Sequence, residues 1–158
     1  MNKQNNMNSK QDHILACLSS APSNAKIIRT AARMAKAFGS QFTALFVETP
    51  DFAVATDENK RRLEENRKLA EQLGANIETV YGEDIPYQIA EFASISGITR
   101  IVLGQSSVTR KHLFGKPTLT QLLLSYVPDI DIHIIPDKAA DTTYHPKKAR
   151  KYHHEQII

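Results

Sequence analysis

Short apolar runs alternate with amphipathic stretches along most of this chain. HILACL (13–18) is a continuous apolar run of strand length, bounded by polar residues. From Asn24 to Phe38 the spacing changes. Ile27, Ile28, Ala31, Met34, Ala35 and Phe38 share one side, and Lys26, Arg29, Arg33 and Lys36 lie opposite, which predicts a helix with an apolar stripe and a wet basic stripe. Gly39 stands where a C′ residue would stop it. FTALFVE (42–48) reads as a second strand, broken by Thr49-Pro50-Asp51. A charged helix over 58–73 follows, with Leu63, Leu69, Ala70 and Leu73 inward. Then come a strand at ANIETVYG (75–82), a helix from Pro86 to Ser96, a strand at TRIVLG (99–104), a helix from about Thr118 to Tyr126, and a last strand at DIDIHIIP (129–136). Five strands alternating with four helices predict one α/β domain: a parallel sheet with helices on both faces and right-handed crossovers.

With 158 residues and 41% hydrophobic content, the chain has enough material for one full core. Residues 12–137 are assigned to the domain. The polar ends predict a disordered N-terminus over 1–11 and a basic flexible tail over 138–158. The tail changes how the charge is read: its net charge of +3 equals that of the whole chain, so the rest is neutral. A basic nucleic-acid-binding face is therefore not expected. No apolar run is long enough to span a membrane and no apolar leader is present, so the chain reads as soluble and cytoplasmic. Its one cysteine, Cys17, falls in an apolar strand, which excludes a disulfide framework and points to a core thiol.

In a sheet of this kind, ligands bind outside the carboxyl ends of the strands where strand order reverses. The loop after the first strand, Ser19-Ser20-Ala21-Pro22, and the loop starting Gly104-Gln105-Ser106-Ser107 both leave carboxyl ends. Three further segments stand out: the run IIRTAARMAKAFGSQFTALFVETP, the segment TRIVLGQS and the ending PDIDIHII. Together with the strand pattern and the opening ILACLS, they resemble the universal stress protein fold. More narrowly, they are similar to the universal stress protein domain of KdpD-type potassium-sensor histidine kinases. The resemblance covers about residues 12 to 137 and implies a doubly wound five-stranded sheet of order 3-2-1-4-5. It also implies a sensor module of a two-component system that controls potassium-uptake genes.

Two ligand patterns follow from that resemblance. ATP-binding members carry an aspartate after the first strand and a Gly-x2-Gly-x9-Gly-Ser/Thr loop after the fourth. Here Ser19 replaces the aspartate. Gly104 matches, but Ser107 and Pro117 replace the next two glycines before Thr118, and proline removes a backbone donor. KdpD-like domains that bind cyclic di-AMP resemble Ser-x-Ser, twenty residues, Phe-Thr-Ala-x-Tyr. In this chain that register falls on Ser19-Ser20-Ala21 and Phe42-Thr43-Ala44-Leu45-Phe46, with Ala21 and Phe46 each lacking a hydroxyl. The resemblance thus implies a cyclic di-AMP site at Ser19, Ser20, Ala21, Phe42, Thr43, Ala44, Phe46, Gly104, Ser106, Ser107 and Thr118. Arg29, Arg110, Lys111 and Lys116 are the candidate phosphate cations.

Plainer readings stand beside these. The serines can serve as helix caps, since Ser23 or Asn24 sits where an N-cap is expected. Gly115-Lys116-Pro117-Thr118 lacks the upstream glycine of a P-loop, and the histidines have no metal-ligand spacing. No catalytic triad or paired carboxylate assembles, so the domain itself is not expected to be an enzyme or to hold a metal or cofactor. Alternative functions are a ligand-free scaffold that docks stress proteins or kinase domains, and a weak ATP binder. The last strand suggests a homodimer through the sheet edge, and the tail suggests membrane contact only through a parent protein.

Overall fold

The computed structural model describes residues 11–105 and 115–136. Strands β1 (His13–Cys17), β2 (Gln41–Glu48), β3 (Asn76–Tyr81), β4 (Arg100–Gly104) and β5 (Asp131–Ile135) form one parallel sheet in the order β3-β2-β1-β4-β5. Helices α1 (Asn24–Phe38), α2 (Asp57–Gln72), α3 (Ile85–Ile95) and α4 (Leu119–Tyr126) connect them. The expected architecture and strand order are therefore present. Both chain ends, and Ser106, Ser107, Arg110 and Lys111, lie outside the described residues.

Strand parity divides the core into two layers. On one face, Ile14, Ala16, Leu18, Phe42, Ala44 and Val102 pack against Ile27, Ile28 and Ala31 of α1 and Leu63 and Ala70 of α2. On the other, Leu15, Leu45, Ile101 and Leu103 pack against Ile89, Ala90 and Ala93 of α3 and Leu123 of α4. β1 is hydrogen-bonded on both sides and apolar on both faces, which is why HILACL is a continuous run instead of an alternating one. Gly39 ends α1 as expected: its φ is 58°, and Ser40 N–H closes the turn on the Ala35 carbonyl at 2.9 Å.

Three details differ from the sequence expectation. Pro50–Val54 forms a short 3-10 turn after β2. On α2 Leu63, Asn66 and Ala70 are buried and Leu69 packs partly buried against the same core as expected, whereas Leu73 is 38% exposed at the helix end. Phe38 is also half exposed, and the Arg100 guanidinium lies over its ring at 4.8 Å.

At the amino end of the sheet a polar network fastens β1 to its neighbours. The His13 Nε2 and Thr43 Oγ1 atoms are 2.8 Å apart, the His13 backbone N–H donates to Thr99 Oγ1, and the Thr99 hydroxyl donates to Asp12. Arg100 pairs with Asp131 at 2.7 Å. Burial pushes the His13 pKa below its ordinary 6.5, against a smaller opposing effect of the hydrogen bond to the Ser96 backbone. A lowered folded-state pKa means that the unfolded chain binds the proton more readily. Stability should therefore be full above pH 6.5 and decline as pH falls through the lowered value. Urea midpoints measured from pH 7.5 down to 5.5 should fall more for the native protein than for His13→Gln. Equal slopes would show that His13 does not titrate on folding.

Candidate functional site

β1 lies between β2 and β4, so strand order reverses beside it, and the loop Ser19–Ala21 leaves its carboxyl end at that point. A buried loop backbone must find hydrogen-bond partners without water. Two asparagines supply them. Asn24, 1% exposed at the start of α1, donates through Nδ2 to the Cys17 carbonyl at 2.9 Å and accepts from the Ser19 N–H through Oδ1 at 3.2 Å. Asn66 of α2 donates to the Ser19 carbonyl at 2.8 Å. Within the loop, Ser19 Oγ accepts from the Ala21 N–H at 3.3 Å. The capping expectation needs correction on this point. Ser23 occupies the N-cap position but its side chain makes no capping bond, and Asn24 turns inward because β1 needs its amide.

These bonds decide what the loop still offers. The Ala21 N–H is already used within the loop and is not a free donor. The Ser19 hydroxyl keeps its proton to donate, and Ser20 has no hydrogen bond among the described residues. Across the crevice, Gly104 ends β4 opposite Ile135. Beside the loop, Phe46 packs edge-on against Phe52 of the 3-10 turn, ring centroids 5.0 Å apart. Phe52 escaped notice in the sequence because the turn that carries it has no periodicity. Burial at the end of β1 raises the Cys17 thiol to about 12, so it is protonated and unreactive near neutral pH.

The remaining predicted residues that lie within the described ones do not converge on this loop. Phe42, Thr43 and Ala44 are at most 5% exposed; Phe42 pairs with Ile14 toward the amino end of the sheet, and Thr43 is bonded to His13. They shape β2, and of the FTALF segment Phe46 alone reaches the carboxyl end with surface to spare. Arg29 is exposed on α1, in line with Lys26, Arg33 and Lys36, and lines a groove that also holds Phe42, Leu73 and Asn76, away from the Ser19–Ala21 loop. Lys116 is exposed. Thr118 caps α4: its Oγ1 accepts from the Gln121 N–H at 3.0 Å, and its own N–H donates to Gln121 Oε1 at 2.8 Å. Two donors that a phosphate would use at that helix start are thus already taken. Among the described residues no three potential metal ligands cluster.

No protein-family model matches the chain. A sensor protein KdpD of Clostridium acetobutylicum is 38% identical over 131 residues, 81% of this chain and 14% of the relative. KdpD of Escherichia coli K12 is 28% identical over 77% of this chain and 13% of its own length. Among solved structures, a universal stress protein in complex with cAMP superposes with a TM-score of 0.61 at 15% identity, covering 81% of this chain and 98% of that one. UspA of Lactobacillus plantarum gives 0.54 at 20% identity, covering 80% and 99%. This chain is a universal stress protein domain of the KdpD sensor type.

The chain therefore spans about one seventh of the C. acetobutylicum KdpD it matches. Within this universal stress protein domain, the asparagine clamp holds the small-residue loop in one conformation beside an aromatic pair. The clamp itself is testable. Asn24→Ala leaves a part-buried carbonyl and a part-buried N–H without their partner, and should lower the unfolding free energy by about 1–3 kcal/mol in urea titrations. Asn66→Ala, which strands one carbonyl nearer the surface, should cost less. A neutral Asn24→Ala would mean that the loop is held by something else.

Proposed function

We propose that this domain is the cytoplasmic ligand-reading module of a KdpD-type osmosensitive potassium-sensor histidine kinase, and that it binds cyclic di-AMP in the crevice between Ser19–Ala21 and Gly104 to modulate signalling for potassium uptake. The observation that carries the reading is the clamped, uncharged loop at the strand-order switch. It presents hydroxyls from Ser19 and Ser20 and carries no carboxylate that would repel a phosphate. A structural neighbour is a universal stress protein in complex with cAMP, and a cyclic phosphodiester of adenosine is the chemistry that such a crevice suits. Phe46, backed by Phe52, provides a face on which an adenine can stack. ATP fits less well, because Thr118 and Gln121 close the start of α4 on each other. Ser106, Ser107 and Arg110 extend the proposed site beyond the described residues.

A second reading is a scaffold that docks stress proteins or neighbouring kinase domains, and the same self-satisfied donors favour it. β5 is an edge strand with Ile134 44% exposed, a surface through which a second copy could pair. Calorimetry separates the two readings. Cyclic di-AMP should bind with measurable heat and more tightly than ATP, and Ser19→Ala should weaken it by about 1.5–3 kcal/mol, the range for a hydrogen bond to a charged group. Absence of heat with folded protein would favour the scaffold, and tighter binding of ATP would overturn the choice of ligand.

A further inference from the structure

The proposed crevice offers hydroxyls and an aromatic pair, yet the Ser19–Ala21 loop brings no cation to a phosphate, and Arg29 lines a groove away from it. Helix α2 passes closer. Asn66 Nδ2 donates to the Ser19 carbonyl at 2.8 Å, which fixes the height at which α2 crosses the loop. The helix is entered from the carboxyl end of β2 through the 3-10 turn and runs out at Leu73, just before β3 begins at Asn76. Going back from Asn66 toward the start of α2 therefore leads toward the carboxyl ends of the strands. One turn, about 5.4 Å, brings Arg62 to the level above the loop. Residues four apart share a helix face, with Cβ atoms about 6 Å apart.

Five cations stand on α2, and their surroundings separate them. Arg61 is 63% exposed and pairs with Glu65, and Lys68 is exposed. Lys60 donates to the Ala53 carbonyl at 3.2 Å. Arg67 reaches Thr79 of β3 at 2.8 Å, so its side of the helix is turned to the sheet edge. Arg62 lies on the other side. Spacings of seven and four residues line it up with Leu69 and Leu73, and Leu73 lines the groove beside α1. The Arg62 side chain is only 31% exposed, and its Nη2 donates to Glu58 Oε1. Glu58 is 62% exposed, so solvent screens the pair and the arginine is held weakly. A phosphate presents two oxygens to the planar guanidinium fork and competes well with one carboxylate oxygen. We infer that Arg62 is the cation that meets a phosphate of the ligand at the Ser19–Ala21 loop, with Glu58 competing for it. The inference rests on the cyclic di-AMP reading above.

Titration calorimetry of the full chain with cyclic di-AMP tests it. Arg62→Gln should bind at least tenfold more weakly than native protein with an unchanged melting temperature, and its affinity should depend less on salt. Glu58→Gln should bind several-fold more tightly, because it frees the guanidinium and removes a like charge, a gain that no loss of folding imitates. Arg61→Gln and Arg29→Gln, which remove the same charge elsewhere, should bind as native protein does. If Arg62→Gln lowers the melting temperature, Arg62→Lys, which keeps the charge but not the fork, should still bind several-fold more weakly. Native affinity in both Arg62→Lys and Glu58→Gln would overturn the inference. If native protein binds and Ser19→Ala weakens it while Arg62→Gln does not, the inference is overturned and the crevice reading stands. No heat from folded native protein overturns both.

Discussion

The domain is organised around the burial of β1. Hydrogen-bonded to β2 and β4 and covered on both faces, β1 leaves its last carbonyl and the first amide of the following loop part-buried, with little access to water. An unpaired buried amide or carbonyl costs on the order of 1–3 kcal/mol, so the chain must supply partners from whichever helices pass nearby. It does so with Asn24 from α1 and Asn66 from α2. That requirement ties both helices of one layer to the same three-residue loop, at the point in the sheet where strand order reverses.

A loop fixed in this way comes to its ligand preorganised, and little ordering entropy remains to be lost on binding. Among the described residues, the Ala21, Thr118 and Gln121 N–H groups are already bonded, and the Ser19 and Ser20 hydroxyls, the Gly104 strand end and the Phe46–Phe52 pair remain near the loop. Arg29, one of the cations that the sequence offered as phosphate partners, is drawn onto the exposed side of α1 by the periodicity that puts Ile27, Ile28 and Ala31 inside.

Much of the architecture was legible because each element carries its own signal: the 3.6-residue spacing of α1, the unbroken apolar run of a central strand, and a glycine at the end of α1. The strand order was read from the family resemblance. What escaped notice was long-range or aperiodic. Asn24 and Asn66 look like a cap and a polar helix position, and their role exists only once β1 and α2 are packed together. Phe52 sits in a 3-10 turn with no repeat to betray it. Leu73 fits the apolar stripe of α2, but the helix ends before the stripe reaches the core. The Phe42-Thr43-Ala44 segment matched a ligand pattern in sequence, yet a strand alternates its faces and advances about 3.3 Å per residue. Those residues therefore fall in the core, away from the carboxyl end where Phe46 emerges.

The crevice assignment is tested most directly by residue-resolved amide spectra of the isotopically labelled domain titrated with cyclic di-AMP. Shift changes should concentrate at Ser19, Ser20, Ala21, Phe46 and Gly104, and should spare Arg29, Arg33 and Lys36 on the outside of α1. Changes running along α1 with none at Ser19–Ala21, or no changes from a folded domain, would contradict it.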